Sequence, residues 1–212
     1  MCRMLLSIGK YSDLTQYMDF LYSMANEGKH SPHHDGFGYV LYSQNEIKAF
    51  KSIEPIRKVD GGVYGTTLMA HARKKSSSGI SLINTQPFLA DNISFSHNGT
   101  IKGLGKKGKS DSYHYFKLIL KGFPAAITKI REMNFTSINF IITDGNYAAA
   151  YREVRKDPGY FSLFYRMEEE RFTVSTEEMG GKWFEIEDKT LVVFRNGRVN
   201  EYKADDVVPE VI

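Results

Sequence analysis

The chain has 212 residues, of which 42% are hydrophobic and 13% aromatic, so it can bury one sizeable core or two small ones. Lysine and arginine number 28 against 25 acidic residues, a net charge of +3 that is too balanced to argue for a nucleic-acid partner. A single cysteine excludes an internal disulfide framework, and there is no run of about 18 apolar residues to span a membrane.

At the amino end, Met1-Cys2 places that one cysteine where removal of the initiator methionine makes it terminal. A terminal cysteine carries a nucleophile and a base together. Its thiol attacks, and its free α-amine, which titrates near roughly 7.7–8.0, takes the proton. Polar Ser7, Lys10 and Ser12 follow closely, so no secretory apolar region is expected and the cytoplasm is the expected compartment. Cys2 to Ile8 reads as a strand. Asp13, with Gln16 three residues on, predicts a capping box. Leu14, Tyr17, Met18, Leu21, Tyr22 and Ala25 then recur at helical spacing, with Gly28 as the stop.

His30, His33, His34 and Asp35 lie close together, but no second ligand cluster at zinc spacing accompanies them, and no metal is expected. Gly36 and Gly38 introduce a strand, Tyr39 to Tyr42, which pairs with Ile47 to Ile53 across Ser43-Gln44-Asn45. Val63 to Arg73 is a further strand, followed by a polar loop from Lys74 to Gly79 and a turn at Asn84-Thr85-Gln86-Pro87-Phe88. Ile93 to His97 alternates like a half-buried strand and stops at Asn98-Gly99, a strong turn signal.

Lys102 to Lys109 holds four lysines and three glycines in eight residues, and reads as a solvated basic turn or a flap over an anionic substrate. Ser110 caps a helix with Asp111 in its first turn, where a carboxylate is favoured. Gly122 is expected to end this helix, and Pro124 to open another. Strands resume at Ile138 to Ile142, Tyr147 to Tyr151, Phe161 to Tyr165, Phe172 to Ser175 and Trp183 to Glu187. A hairpin around Asn196-Gly197 closes the pattern. Strands, two helices and strands again predict an α+β domain of two packed sheets with helices outside.

Amide cleavage by a cysteine needs donors aimed at a tetrahedral oxyanion, and Asn98-Gly99 offers a side-chain amide beside a backbone N–H. An amino-acid substrate also needs a cation for its carboxylate and an anion for its amine. Arg73 can grip a carboxylate bidentately and Asp111 can hold an ammonium.

Met1-Cys2-Arg3, His34-Asp35-Gly36-Phe37-Gly38, His71-Ala72-Arg73, Asn84-Thr85-Gln86-Pro87-Phe88, His97-Asn98-Gly99-Thr100-Ile101 and Ser110-Asp111 stand in one order. That order resembles the class II glutamine amidotransferases, which are N-terminal-nucleophile hydrolases. The Cys-Arg opening looks like the stand-alone branch, which includes proteins acting on γ-glutamyl compounds. Val174-Ser175-Thr176-Glu177 resembles the family's later Ser-Ser-Glu segment.

The resemblance covers nearly the whole chain. It implies a single domain over residues 1–212, folded as a four-layer αββα sandwich of two antiparallel sheets. It also implies Cys2 as nucleophile, Asn98 and Gly99 as oxyanion hole, Arg73 and Asp111 as substrate grips, and no metal or organic cofactor. Ser76 stands near the family's Thr hydroxyl, Gln86 replaces its usual His, and Tyr113 occupies a position often acidic. The implied reaction cleaves the side-chain amide of glutamine or a γ-glutamyl compound through a thioester. The ammonia then passes to a separate synthase partner or has no synthetic role. Hydrolysis of a different amide and a non-catalytic subunit that docks through lysines 102 to 109 are the alternatives; Arg73 and Asp111 argue against the first, because apolar acyl groups need neither.

Overall fold

The computed structural model describes residues 2–44, 46–76 and 78–205, so Met1, Asn45 of the expected turn and Ser77 of the polar loop lie outside it. In chain order the elements begin with β1 (Arg3–Asp13), α1 (Thr15–Asn26), β2 (Phe37–Tyr42), β3 (Ile47–Ser52), β4 (Tyr64–Ala72), β5 (Phe88–Ala90) and β6 (Ile93–Asn98). Two helices follow, α2 (Asp111–Ile119) and α3 (Phe123–Arg131). The remaining strands are β7 (Asn139–Thr143), β8 (Ala148–Arg152), β9 (Phe164–Glu168), β10 (Arg171–Ser175), β11 (Phe184–Glu185), β12 (Thr190–Arg195) and β13 (Arg198–Lys203). No helix is long and apolar enough to cross a membrane among the described residues.

Two sheets result, in the orders β11-β9-β10-β1-β4-β2-β3 and β13-β12-β8-β7-β6-β5, with antiparallel pairing throughout. The two-residue period of a strand sorts their side chains into layers. Met4, Leu6 and Ile8 of β1 and Met69 of β4 meet Ile141, Ala150 and Val192 between the sheets. Leu5, Leu68 and Ala70 face outward onto Tyr17, Met18 and Leu21 of α1. On the far side, Phe95, Phe140 and Tyr151 pack under Tyr115, Phe116, Ile127 and Ile130 of α2 and α3. This is the expected α+β architecture: helix, sheet, sheet, helices.

Several local expectations shift. Asp13 sits one residue before the helix cap, Leu14, and its Oδ1 accepts from Thr15 N at 2.9 Å rather than from deeper in the first turn. Strand β1 runs five residues past Ile8, to Asp13. Gly122 is the residue before α3 rather than the end of α2. The short strand β5 lies where only a turn was expected. Asn98-Gly99 is not a hairpin turn: β6 pairs with β5 before it and with β7 about forty residues after it.

Candidate active site

Cys2 precedes β1, on the face that Met4 and Leu6 turn toward the second sheet. Its nitrogen donates to Asn98 Oδ1 at 3.0 Å, and its Sγ lies 3.7 Å from the Lys74 carbonyl oxygen. The residue is half-buried. Burial raises the thiol's pKa above its ordinary value, a shift partly offset by the positive chain terminus and, less, by the Arg73 guanidinium, and slightly reinforced by the Asp111 carboxylate. The resting sulfur is therefore a thiol, and attack requires a base at that moment.

Asn98 ends β6, fully buried. Because its Oδ1 faces the Cys2 nitrogen, its Nδ2 is left as a buried donor with no partner among the described residues. Such a group costs roughly 1–3 kcal/mol unless something accepts from it. Gly99 follows at φ +153°, and a Cβ there would fall 1.9 Å from the Ser137 carbonyl oxygen. Only glycine fits.

Side chains brace this strand end. His97 Nε2 lies 3.3 Å from the Ser137 carbonyl oxygen and Nδ1 lies 2.8 Å from Ser112 Oγ. Nε2–H therefore donates to the carbonyl while Nδ1 accepts from the hydroxyl, and burial lowers the ring's pKa. Gln86 substitutes for a missing strand: its Oε1 accepts from His97 N at 2.6 Å and its Nε2 donates to His97 O at 3.2 Å.

Arg73 comes just after β4, its backbone bonded to Gly36 O at 2.8 Å and to Asp35 N at 2.9 Å. The residue is 4% exposed. Its Nη2 donates to Ser78 Oγ at 2.8 Å and to the Gly79 carbonyl at 3.0 Å, whereas Nη1 is buried and has no partner among the described residues. Asp111 opens α2, with Ser110 as cap accepting from Tyr113 N at 3.2 Å. One Asp111 oxygen, Oδ2, accepts from Ile101 N at 2.6 Å.

Asn84, read from sequence only as part of a turn, ties these pieces together. Its Oδ1 accepts from Ser110 N at 2.7 Å, and its Nδ2 donates to Gly108 O at 3.1 Å and Gly79 O at 3.4 Å. Ser76 is exposed on the rim and accepts from Thr100 Oγ1 at 3.1 Å. Lys74 turns away from the guanidinium, donating from Nζ to the His30 carbonyl at 2.9 Å.

Cys2, Arg73, Ser76, Gly99 and Asp111 thus line one cleft. Its open space, about 20 Å³, is room for roughly one water and too little for an amino acid. An amino acid enters only if the rim moves. Behind Cys2, buried Arg3 pairs with Glu177 at 2.5 Å and also donates to the Lys29 carbonyl. The Cys-Arg opening and the Ser-Thr-Glu segment, 174 residues apart, are therefore neighbours. The three clustered histidines diverge: His33 is buried, His34 contacts Asn26 Oδ1 at 2.8 Å, and His30 packs edge-on against Tyr160.

No protein-family model matches the chain, and no curated protein matches its sequence. Solved structures do resemble it. One is a glutamine phosphoribosylpyrophosphate amidotransferase from B. subtilis, with TM-score 0.69 and 16% identity over 96% of this chain and 49% of that one. The chain spans about half the length of that enzyme. A glutamine aminotransferase class-II domain protein from Silicibacter pomeroyi matches over 97% of this chain and 100% of its own, with TM-score 0.68 and 18% identity. A predicted glutamine amidotransferase from Pseudomonas aeruginosa matches over 94% and 99%, with TM-score 0.61 and 17% identity. The chain has the fold of these glutamine amidotransferases.

Proposed function

We propose that this chain is a one-domain, N-terminal cysteine amidohydrolase of the class II glutamine amidotransferase kind, acting on glutamine or a γ-glutamyl compound. Removal of Met1 frees the Cys2 amine. Cys2 Sγ attacks the γ-carbonyl carbon while the amine takes the thiol proton. The oxyanion is received by Asn98 Nδ2 and the Gly99 N–H. As the C–N bond breaks, the terminal ammonium returns its proton to the departing ammonia or amine, leaving a γ-glutamyl thioester. Water then adds to the thioester, giving its proton to the amine. Glutamate departs and the thiol re-forms. Arg73 Nη1 takes the α-carboxylate and Asp111 the α-ammonium; Ser76 contributes from the rim.

Asn98 is the observation that carries this reading. A buried amide whose oxygen faces the Cys2 nitrogen and whose N–H₂ has no partner suits an oxyanion that forms beside the sulfur. Arg73, buried with one nitrogen unused, fits an incoming carboxylate in the same way. Released ammonia goes to a separate acceptor protein or to solvent.

An electrophilic glutamine analogue is expected to add its mass to Cys2 of the active protein, and glutamine to protect against it. Cys2→Ala is expected to abolish ammonia release. An active preparation whose intact mass still includes Met1 would sink the mechanism, because the base would then be an amide.

A further inference from the structure

A second cleft, about 560 Å³, lies beside the first and is left unused by the proposed reaction. Its lining includes Lys102, Lys106, Lys107 and Lys109, with Asp111 as the one carboxylate. The net positive charge on this wall, three, equals that of the entire chain, whose other charges balance. None of the four lysines forms an ion pair among the described residues. Lys109 instead lies over the Tyr113 ring at 4.3 Å and reaches its hydroxyl at 3.2 Å.

The loop is also held in shape. Lys106 and Lys109 exchange backbone hydrogen bonds at 3.2 and 3.1 Å, and Asn84 grips the Gly108 carbonyl. Like charges are thus fixed side by side around a space large enough for a ligand, an arrangement relieved by a bound anion. The position of the space tells which end of a substrate it meets. Both clefts share Ser78, whose oxygens hold Arg73, and Asp111. The second cleft therefore opens from the α end of an amino acid seated as proposed above, away from the amide being cut.

We propose that this cleft is an anion subsite, and that the substrate is a glutamine unit joined through its α-carboxyl to a group ending in a carboxylate or phosphate. This rests on the function proposed above. Asp111 keeps the free α-amine, Arg73 Nη1 meets the linking carbonyl oxygen, and the lysines receive the distal charge.

The test compares ammonia release from free glutamine, glutaminyl-glutamate, glutaminyl-phosphoserine and neutral glutaminyl-alanine amide by the full, Met1-processed chain. A kcat/KM at least about tenfold higher for an anionic conjugate than for the neutral one is expected. The two anionic arms separate carboxylate from phosphate. The Lys106→Ala, Lys107→Ala double variant is expected to erase that advantage and leave free glutamine unchanged. Conjugates of equal kcat/KM, or a double variant that alters all substrates alike, overturn the subsite. Pyrophosphate binding by calorimetry keeps this separate from the proposed reaction. If no amide is cleaved, that reaction fails, while binding that the double variant abolishes still upholds the anion site and its absence overturns it.

Discussion

Asn98 joins two duties that the residue type alone does not reveal. Its amide oxygen faces the nitrogen of Cys2, and its N–H₂ is left buried without a partner among the described residues, available for the oxyanion role proposed above. Asn98→Ala removes both, and is expected to lower kcat about 10²- to 10³-fold with a smaller change in KM, because the lost donor serves the transition state. Asn98→Asp retains an oxygen for Cys2 but no donor, and adds a buried charge without a partner. It should be no more active than the alanine variant; near-normal kcat in either would remove Asn98 from the oxyanion hole.

The end of β6 is an element fixed largely by side chains. Gln86 satisfies both backbone groups of His97, and His97 in turn spans Ser112 and Ser137. Gln86→Ala strands two buried backbone groups, at about 1–3 kcal/mol for each. A fall of roughly 4–24 °C in Tm is expected from the two together. The kcat should drop with it, since Asn98 and Gly99 are the next two residues; unchanged Tm and kcat would mean water takes over both bonds.

Elements of this sort mark where sequence reading stops. The hairpin at Asn196-Gly197 and the cap at Ser110 were legible because their partners lie within a few residues. The same Asn-Gly dipeptide at 98–99 misleads, because the β7 partner of β6 is remote and φ +153° serves close packing on Ser137. Strand β5 was missed because three residues after a proline give no period to read. Cys2, Arg73, Asn98 and Asp111 were legible as residue types in a familiar order. That Asn84 and Gln86 hold them in place was not, since those bonds bridge loops that only the two-sheet topology brings together.

At the scale of the whole molecule, three imidazoles are buried: His33 and His71, each with both ring nitrogens unpartnered among the described residues, and His97. Burial is the main reason each has a lowered pKa. His33 falls to about 3, with Arg3 adding to the effect, and His71 falls well below its ordinary value, with Arg73 and His97 adding to it. In the unfolded chain each titrates near roughly 6.5. Below that pH the unfolded chain binds protons that the folded one refuses, so stability is full above about 6.5 and declines as pH falls toward the folded values. His33, whose folded value lies far below both pH values, is expected to cost about 2 kcal/mol between pH 7 and pH 5. Carboxylates scarcely titrate in that interval, so urea midpoints at the two pH values isolate the histidines. The midpoint should fall markedly at pH 5, and His33→Leu should reduce the loss of stability by about 2 kcal/mol. A midpoint that does not move from pH 7 to 5 would mean the imidazoles gain protons in the fold as readily as outside it. Ammonia release should decline before the fold does, because the terminal amine proposed as the base titrates near roughly 7.7–8.0 and is already protonated well above pH 5.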